Sequence, residues 1–228
     1  MKGYGLLIFT LLMGTTCIGQ GMWFFGAKGG THLSSSYIEH SIYRVNLLSK
    51  PLRLYQSGLF IQYFPKRTNN GLQTGIRIGV DYIQKGWDQN YLDTLANVNS
   101  VRSRMDYLNI PIESILYRGS ETSRVYILIG INFDFLMSHD VAKDPQDKDA
   151  KTDFWTYDPV RDKNYGYGLK GGLGFQRKMG LGQILFEAYF NYGLSNFIKT
   201  DDRALDIPDI SNLWESGISV GYVIPFKR

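Results

Sequence analysis

From Leu72 to Tyr82 the chain changes polarity at every residue: Leu72, Thr74, Ile76, Ile78, Val80 and Tyr82 hold one parity, and Gln73, Gly75, Arg77, Gly79 and Asp81 the other. A period of two predicts a β-strand with one apolar and one polar face. The polar face carries a full charge of each sign and two glycines, which suits a narrow hydrated interior better than a dry core. The apolar face then needs a cover, and lipid is the cover that fits.

Eight stretches alternate in this way, at about 22–30, 58–65, 71–84, 106–117, 124–137, 164–177, 182–194 and 214–226. An even number is what a single-chain bacterial barrel requires. In the fifth, Val125, Ile127, Ile129, Ile131, Phe133 and Phe135 oppose Tyr126, Gly130, Asn132 and Asp134; in the seventh, Ile184, Phe186, Ala188 and Phe190 oppose Glu187, Tyr189 and Asn191. The connections alternate too, long at 31–57, 85–105, 138–163 and 195–213 and short at 66–70, 118–123 and 178–181. The expected fold is all-β: an eight-stranded antiparallel transmembrane up-and-down β-barrel with short periplasmic turns, long extracellular loops and both termini on the periplasmic side. Pro111 lacks a ladder donor and predicts a bulge or kink in the fourth strand.

Composition alone, with 43% hydrophobic and 20% charged residues, would equally fit a soluble domain. Sixteen Tyr, 13 Phe and 25 Gly against 7 Pro tilt the balance toward aromatic-rich strands. At the N-terminus, Lys2, the apolar run Leu6–Met13, and Cys17 and Gly19 at the −3 and −1 sites predict a signal peptide over 1–19, leaving a barrel domain at 20–228. That cut removes Cys17, the sole cysteine; a lipoprotein with Cys17 acylated fits Gly14 and Thr16 poorly. No downstream run approaches the ~20 apolar residues of a spanning helix, so any crossing must be made by strands closed into a ring. The location implied is the outer membrane of a Gram-negative cell, with membrane lipid and lipopolysaccharide as contacts. A net charge of +4 is too mild and dispersed to argue for nucleic acid.

Ser219, Gly221, Ile224 and Phe226 fit the polar-x-Gly-x-x-apolar-x-aromatic pattern that resembles an outer-membrane insertion signal. With it go Tyr82-Ile83-Gln84-Lys85-Gly86-Trp87, Tyr107-Leu108-Asn109-Ile110-Pro111-Ile112, Gly168-Leu169-Lys170-Gly171-Gly172-Leu173-Gly174 and Asn191-Tyr192-Gly193-Leu194-Ser195-Asn196. On these pieces the chain resembles the PorT-like outer-membrane β-barrel family, which includes an accessory protein of type IX secretion. The resemblance implies a barrel and suggests a partner membrane or secretion-system protein. It supplies no catalytic motif.

Candidate chemistry is sparse. Gly166-x-Gly168-x-x-Gly171 matches the dinucleotide fingerprint literally, but that motif needs a helix after the strand and none is predicted. The charges on lumen parity are Arg77, Asp81, Glu113, Asp134, Lys170, Glu187 and Glu215, with Lys28 beside them in the first strand, so acids outnumber bases. An eight-stranded barrel is just wide enough for side chains to fill, so these charges are expected to pair as a hydrated plug, with Arg77 as hub, rather than line a conducting path. His32, His40 and His139 are expected in outer loops, where Ser34, Ser35, Ser36 and Glu39 keep a lipid A-modifying hydrolase open as an alternative. The acidic loop 138–163 lacks the glycine and closing Glu of a calcium loop. Its Phe154, Trp155 and Tyr157 belong either to the outer aromatic girdle or to a contact for a ligand or partner. No cofactor, metal or catalytic residue is assigned. The reading is a binding, scaffold or secretion-accessory barrel acting through its outer loops, with a narrow diffusion channel and a lipid-modifying enzyme as alternatives.

Overall fold

The computed structural model describes residues 21–40, 45–47, 49–66, 71–92, 98–143, 157–200 and 208–226. They form β1 (Gly21–His40), β2 (Val45–Leu47), β3 (Ser49–Pro65), β4 (Gln73–Leu92), β5 (Val98–Gly119), β6 (Ser123–Lys143), β7 (Tyr165–Met179), β8 (Gly182–Gly193) and β9 (Ile210–Phe226). The three-residue β2 pairs with the far end of β1, continuing the arm that β3 begins. The other eight strands pair antiparallel in chain order, and β1 also pairs with β9, which closes the ring.

The closure is staggered. A path of paired residues leaving β1 at Trp23 passes through Tyr63, Ile76, Ser114, Ile129, Gly171, Phe190 and Ser216 and returns to β1 at Leu33, ten residues further along. With a rise near 3.3 Å per residue and strands about 4.8 Å apart, that stagger tilts the strands by roughly 40°.

The strand ends joined by the three short connections lie at one end of the ring, with Gly21 and Phe226 beside them. The β7–β8 connection is two residues long, and Gly180 opens it at φ 65°, the left-handed conformation such a turn demands of its first central residue. The outer face carries a continuous apolar belt: Leu59, Ile78, Val80, Ile127, Ile129, Leu173 and Ile218 are all exposed. Trp23, Phe25, Tyr222 and Phe226 rim it near the turns, and Tyr55, Tyr82, Phe135, Tyr165 and Tyr167 rim it on the far side. No helix among the described residues is long and apolar enough to cross a bilayer, and the belt is the surface that meets lipid.

Element ends differ from the sequence expectation in one direction. At the far end, β1, β4, β5 and β6 run on well past the predicted stretches, so much of the expected loops 31–57, 85–105 and 138–163 is paired strand, up to Leu92↔Val98 between β4 and β5. Pro111 causes no register shift. Ile78↔Ile112 and Asp81↔Asn109 keep one register, with only the two pairs between them absent, because Gly79 leaves room for the proline ring. The bulges fall instead at Pro51/Gln56 and Asp106/Tyr107. The predicted signal peptide 1–19 lies outside the described residues.

Ile129 sits midway up the belt and is 59% exposed. Ile129→Arg is expected to cost about 2–4 kcal/mol, and Leu72→Arg at the rim about 0–1 kcal/mol. Unfolding titrations of the chain refolded into bilayers measure both, and equal costs would show that the belt does not face lipid.

Candidate functional site

Strand β4 points Arg77, Asp81 and Lys85 into the lumen at intervals of four, and the network is built around them. The Arg77 guanidinium reaches Glu187 at 2.5 Å and Glu113 at 3.3 Å through Nη1, and donates from Nε and Nη2 to Gln62 Oε1. Its plane lies 4.6 Å from the Phe60 ring centroid. Glu113 is shared with Lys170 at 2.9 Å, and Tyr126 donates to Glu187 at 2.7 Å. Two glycines make the space. A side chain at Gly174 would strike the Tyr126 ring, and one at Gly58 would strike the Asp81 carboxylate.

Lys28 pairs with Asp81 at 2.9 Å. Higher in the lumen, Lys85 bridges Asp134 at 2.8 Å and Glu215 at 2.6 Å. Asn109 and Asn132 donate to Asp134, and Asn191 donates to Glu215, so these carboxylates have amide partners as well as charge partners. Every one of these ionic groups is at most 6% exposed. Arg77, Asp81, Glu113, Asp134, Lys170, Glu187 and Glu215 thus share one lumen. Lys85 joins them although the sequence pattern places it in the loop 85–105; its parity with Arg77 and Asp81 is the signal that finds it. With Lys85 and Arg124 inside, the buried charges among the described residues number five basic and five acidic, where the sequence parity had acids outnumbering bases.

Apolar side chains close both ends of this layer. Toward the turns, Phe24, Phe60, Phe64, Ile115, Tyr117, Tyr126, Leu128, Leu185 and Val223 form one cluster. At the far end, Ile38, Ile83, Trp87, Met105, Tyr107 and Leu213 form another with Tyr157, Phe197 and Ile198 from the connections. Phe197 packs on Trp87 at 5.0 Å, and its segment is tied down by bonds from Phe197 N to the Ser211 carbonyl, Ile198 N to Ser211 Oγ, and Lys199 N to Asp162. A cavity of ≈ 20 Å³ remains beneath this cap, beside Lys85, Tyr107 and Asp134. That is room for about one water.

The cap contains what the sequence did not place. Tyr157 is buried in it, stacked edge-on against His139, rather than facing lipid or solvent; Phe154 and Trp155 lie outside the described residues. Phe197 and Ile198 had no signal beyond being an apolar pair in a polar loop. His32 is not in a loop: it faces the lumen from β1, 2% exposed, with Nε2 2.7 Å from the Gln84 carbonyl. Ser34 Oγ accepts from Gly86 N, and Ser35 Oγ lies 3.0 Å from Ser49 Oγ, so neither serine is paired with the imidazole. The His40 side chain lies outside the described residues. No cluster of metal-ligating side chains occurs among the described residues. The glycines of the fingerprint match lie within β7, with no helix after them.

A family model described as "Outer membrane protein beta-barrel domain" matches residues 18–199. No curated protein matches the chain. Among solved structures, Ail, the attachment invasion locus protein of Yersinia pestis, is similar at 14% identity, covering 90% of this chain and 99% of that one, with a TM-score of 0.40. Neisserial surface protein A is similar at 12% identity, covering 87% and 95%, with a TM-score of 0.41. The N-terminal barrel domain of Pseudomonas aeruginosa OprF is similar at 10%, covering 90% and 100%, with a TM-score of 0.33.

Among the described residues, removing Arg77 strips Glu187 of its only contacting cation and Glu113 of one of two. Arg77→Ala is expected to destabilise by about 3–5 kcal/mol. Arg77→Met combined with Glu187→Gln should lose clearly less than Arg77→Ala, since no orphaned charge remains. Urea midpoints in micelles decide; a loss under about 1 kcal/mol for Arg77→Ala would mean that lumen water substitutes for the guanidinium.

Proposed function

The chain belongs to the outer membrane protein beta-barrel domain family, and from that premise we propose that it is a non-enzymatic binding or scaffold barrel whose lumen is shut and whose work is done on its outer surface. The observation that carries this reading is the closure of both mouths by apolar clusters around a fully paired ionic layer. A conducting path would need a continuous wet column, and the cavity beside Lys85 has room for about one water.

The surface left for partners is the part that rises past the lipid belt. The β4–β5 hairpin continues ten residues beyond Tyr82, and its outward side chains turn polar there, with Arg102 bonded to Asp88 and Arg104 to Asp106. Among the described residues, β6 from Met137 to Lys143 has no strand partner on its β7 side. A strand edge that is unpaired among the described residues is the kind of surface that can pair with a strand of another protein. A membrane or secretion-system protein is the partner we favour, in keeping with the PorT-like resemblance, and lipopolysaccharide is the lipid that surrounds the same rim. Export through a signal peptide cut before Gln20 belongs to the same reading.

Lipid A modification is disfavoured because His32, one of the histidines on which that alternative rested, is sealed inside the ring away from any lipid substrate. The refolded chain is therefore expected to be silent in a planar bilayer. A photo-crosslinker placed at Arg102 or Asp140 should give a discrete heavier band in the native membrane, and one at Ile129 should not. Steady unitary conductance steps would move the function into the lumen, and identical crosslinks from all three positions would refute a specific partner at the rim.

A further inference from the structure

One buried charge is outside the ionic network. Arg124, near the start of β6 at the turn end, is 5% exposed and points into the lumen. Its guanidinium lies 4.3 Å from the Phe64 ring centroid, 5.4 Å from Tyr117 and 5.6 Å from Phe24. Lys28, Arg77, Lys85 and Lys170 each touch a carboxylate within 3.3 Å; Arg124 touches none among the described residues. Its Nε is buried without a hydrogen-bond partner.

Aromatic faces hold a guanidinium and fix its plane, but they offer no acceptor for its five donors. Glu121 acts on Arg124 only through space, and a buried cation with no carboxylate in contact costs stability, so its retention calls for an explanation that packing does not give. The surroundings share its sign: Lys66, Arg118, Arg177 and Lys178 are exposed around the same mouth, where Glu121 is the sole acid among the described residues. Charge complementarity therefore specifies an anion. Position narrows the choice further. Arg118 and Arg177 lie on the lipid-facing parity and can meet phospholipid headgroups, whereas Arg124 and Lys178 lie inside the ring of strands, where a bilayer lipid does not reach.

We infer that the periplasmic mouth of the barrel is a docking site for an acidic segment of a periplasmic protein, with Arg124 as its buried anchor. The preset guanidinium takes a carboxylate end-on through its two terminal nitrogens, and the basic rim steers the segment in. This site is separate from the outer rim, and either can fail without the other.

The test uses the full chain refolded into nanodiscs of neutral phosphatidylcholine, with a fluorescein-labelled hexaglutamate peptide as probe. Anisotropy should show saturable binding that weakens as salt rises. Arg124→Gln should weaken it by about tenfold or more, and Arg124→Lys, which keeps the charge but loses the fork, by less. Arg124→Gln should fold normally by heat-modifiable gel migration, with a urea midpoint no lower than the parent's, because no ion pair is broken. Three results overturn the proposal: no binding to the parent, equal binding to the parent and Arg124→Gln, or an equal loss on Arg102→Gln at the opposite end. A fourth does so by naming another occupant: Arg124→Gln weakening association with phosphatidylglycerol vesicles while leaving the peptide untouched.

Discussion

Closure of the ring is the constraint from which the other features follow. In hydrocarbon there is no water for an unpaired N–H or C=O, so the first and last strands must meet. They do so along the whole seam from Trp23↔Phe226 to Glu39↔Ile210. Eight strands closed with a stagger of ten residues leave an interior that side chains fill. Once the interior is that narrow, a polar face such as Arg77, Asp81 and Lys85 has no solvent column to dissolve into. Each charge must find its partner across the lumen, as Arg77 on β4 does in Glu113 on the adjacent β5 and in Glu187 on β8.

The two apolar clusters intensify that demand. They lower the local dielectric at both ends of the ionic layer, which strengthens each ion pair and raises the penalty for any charge left alone. The bonds from Asn109, Asn132, Asn191 and Tyr126 to the same carboxylates fit this logic, because a desolvated pair repays its cost only when its remaining lone pairs are also satisfied. The lumen is thus a structural core with its polarity reversed relative to a soluble protein.

The alternation within the bilayer was plain in the sequence, and the reason it faded is physical. Between Leu72 and Tyr82 the outward residues are apolar because they meet lipid. Past Tyr82 the outward residues meet water, and the inward residues Ile83 and Trp87 join the apolar cap. The polarity pattern therefore inverts at the membrane edge while the parity of the backbone runs on unchanged. A reading keyed to polarity ends the strand there and loses Lys85; one keyed to parity keeps it. Met105 and Val101 on β5 and Ile38 on β1 are inward in the same inverted sense. The inward fold of Phe197 and Ile198 has no such rule behind it, since it depends on tertiary bonds to Ser211 and Asp162.

Charge balance explains how Arg124 is tolerated without a contact partner. The network around Arg77 contains four cations, Lys28, Arg77, Lys85 and Lys170, against five carboxylates, so it carries one excess negative charge. Arg124 supplies the missing positive charge from the turn end. For two unit charges on the order of 10 Å apart at an effective dielectric of ~20, such attraction is worth roughly 1.7 kcal/mol. That is enough to offset part of the burial penalty, yet it leaves the donors of the guanidinium uncommitted. The buried charges among the described residues therefore balance, while one oriented, unbonded cation is kept at the mouth where the chain is otherwise most basic. A local ion pair in place of this long-range balance would have given the same neutrality and no site.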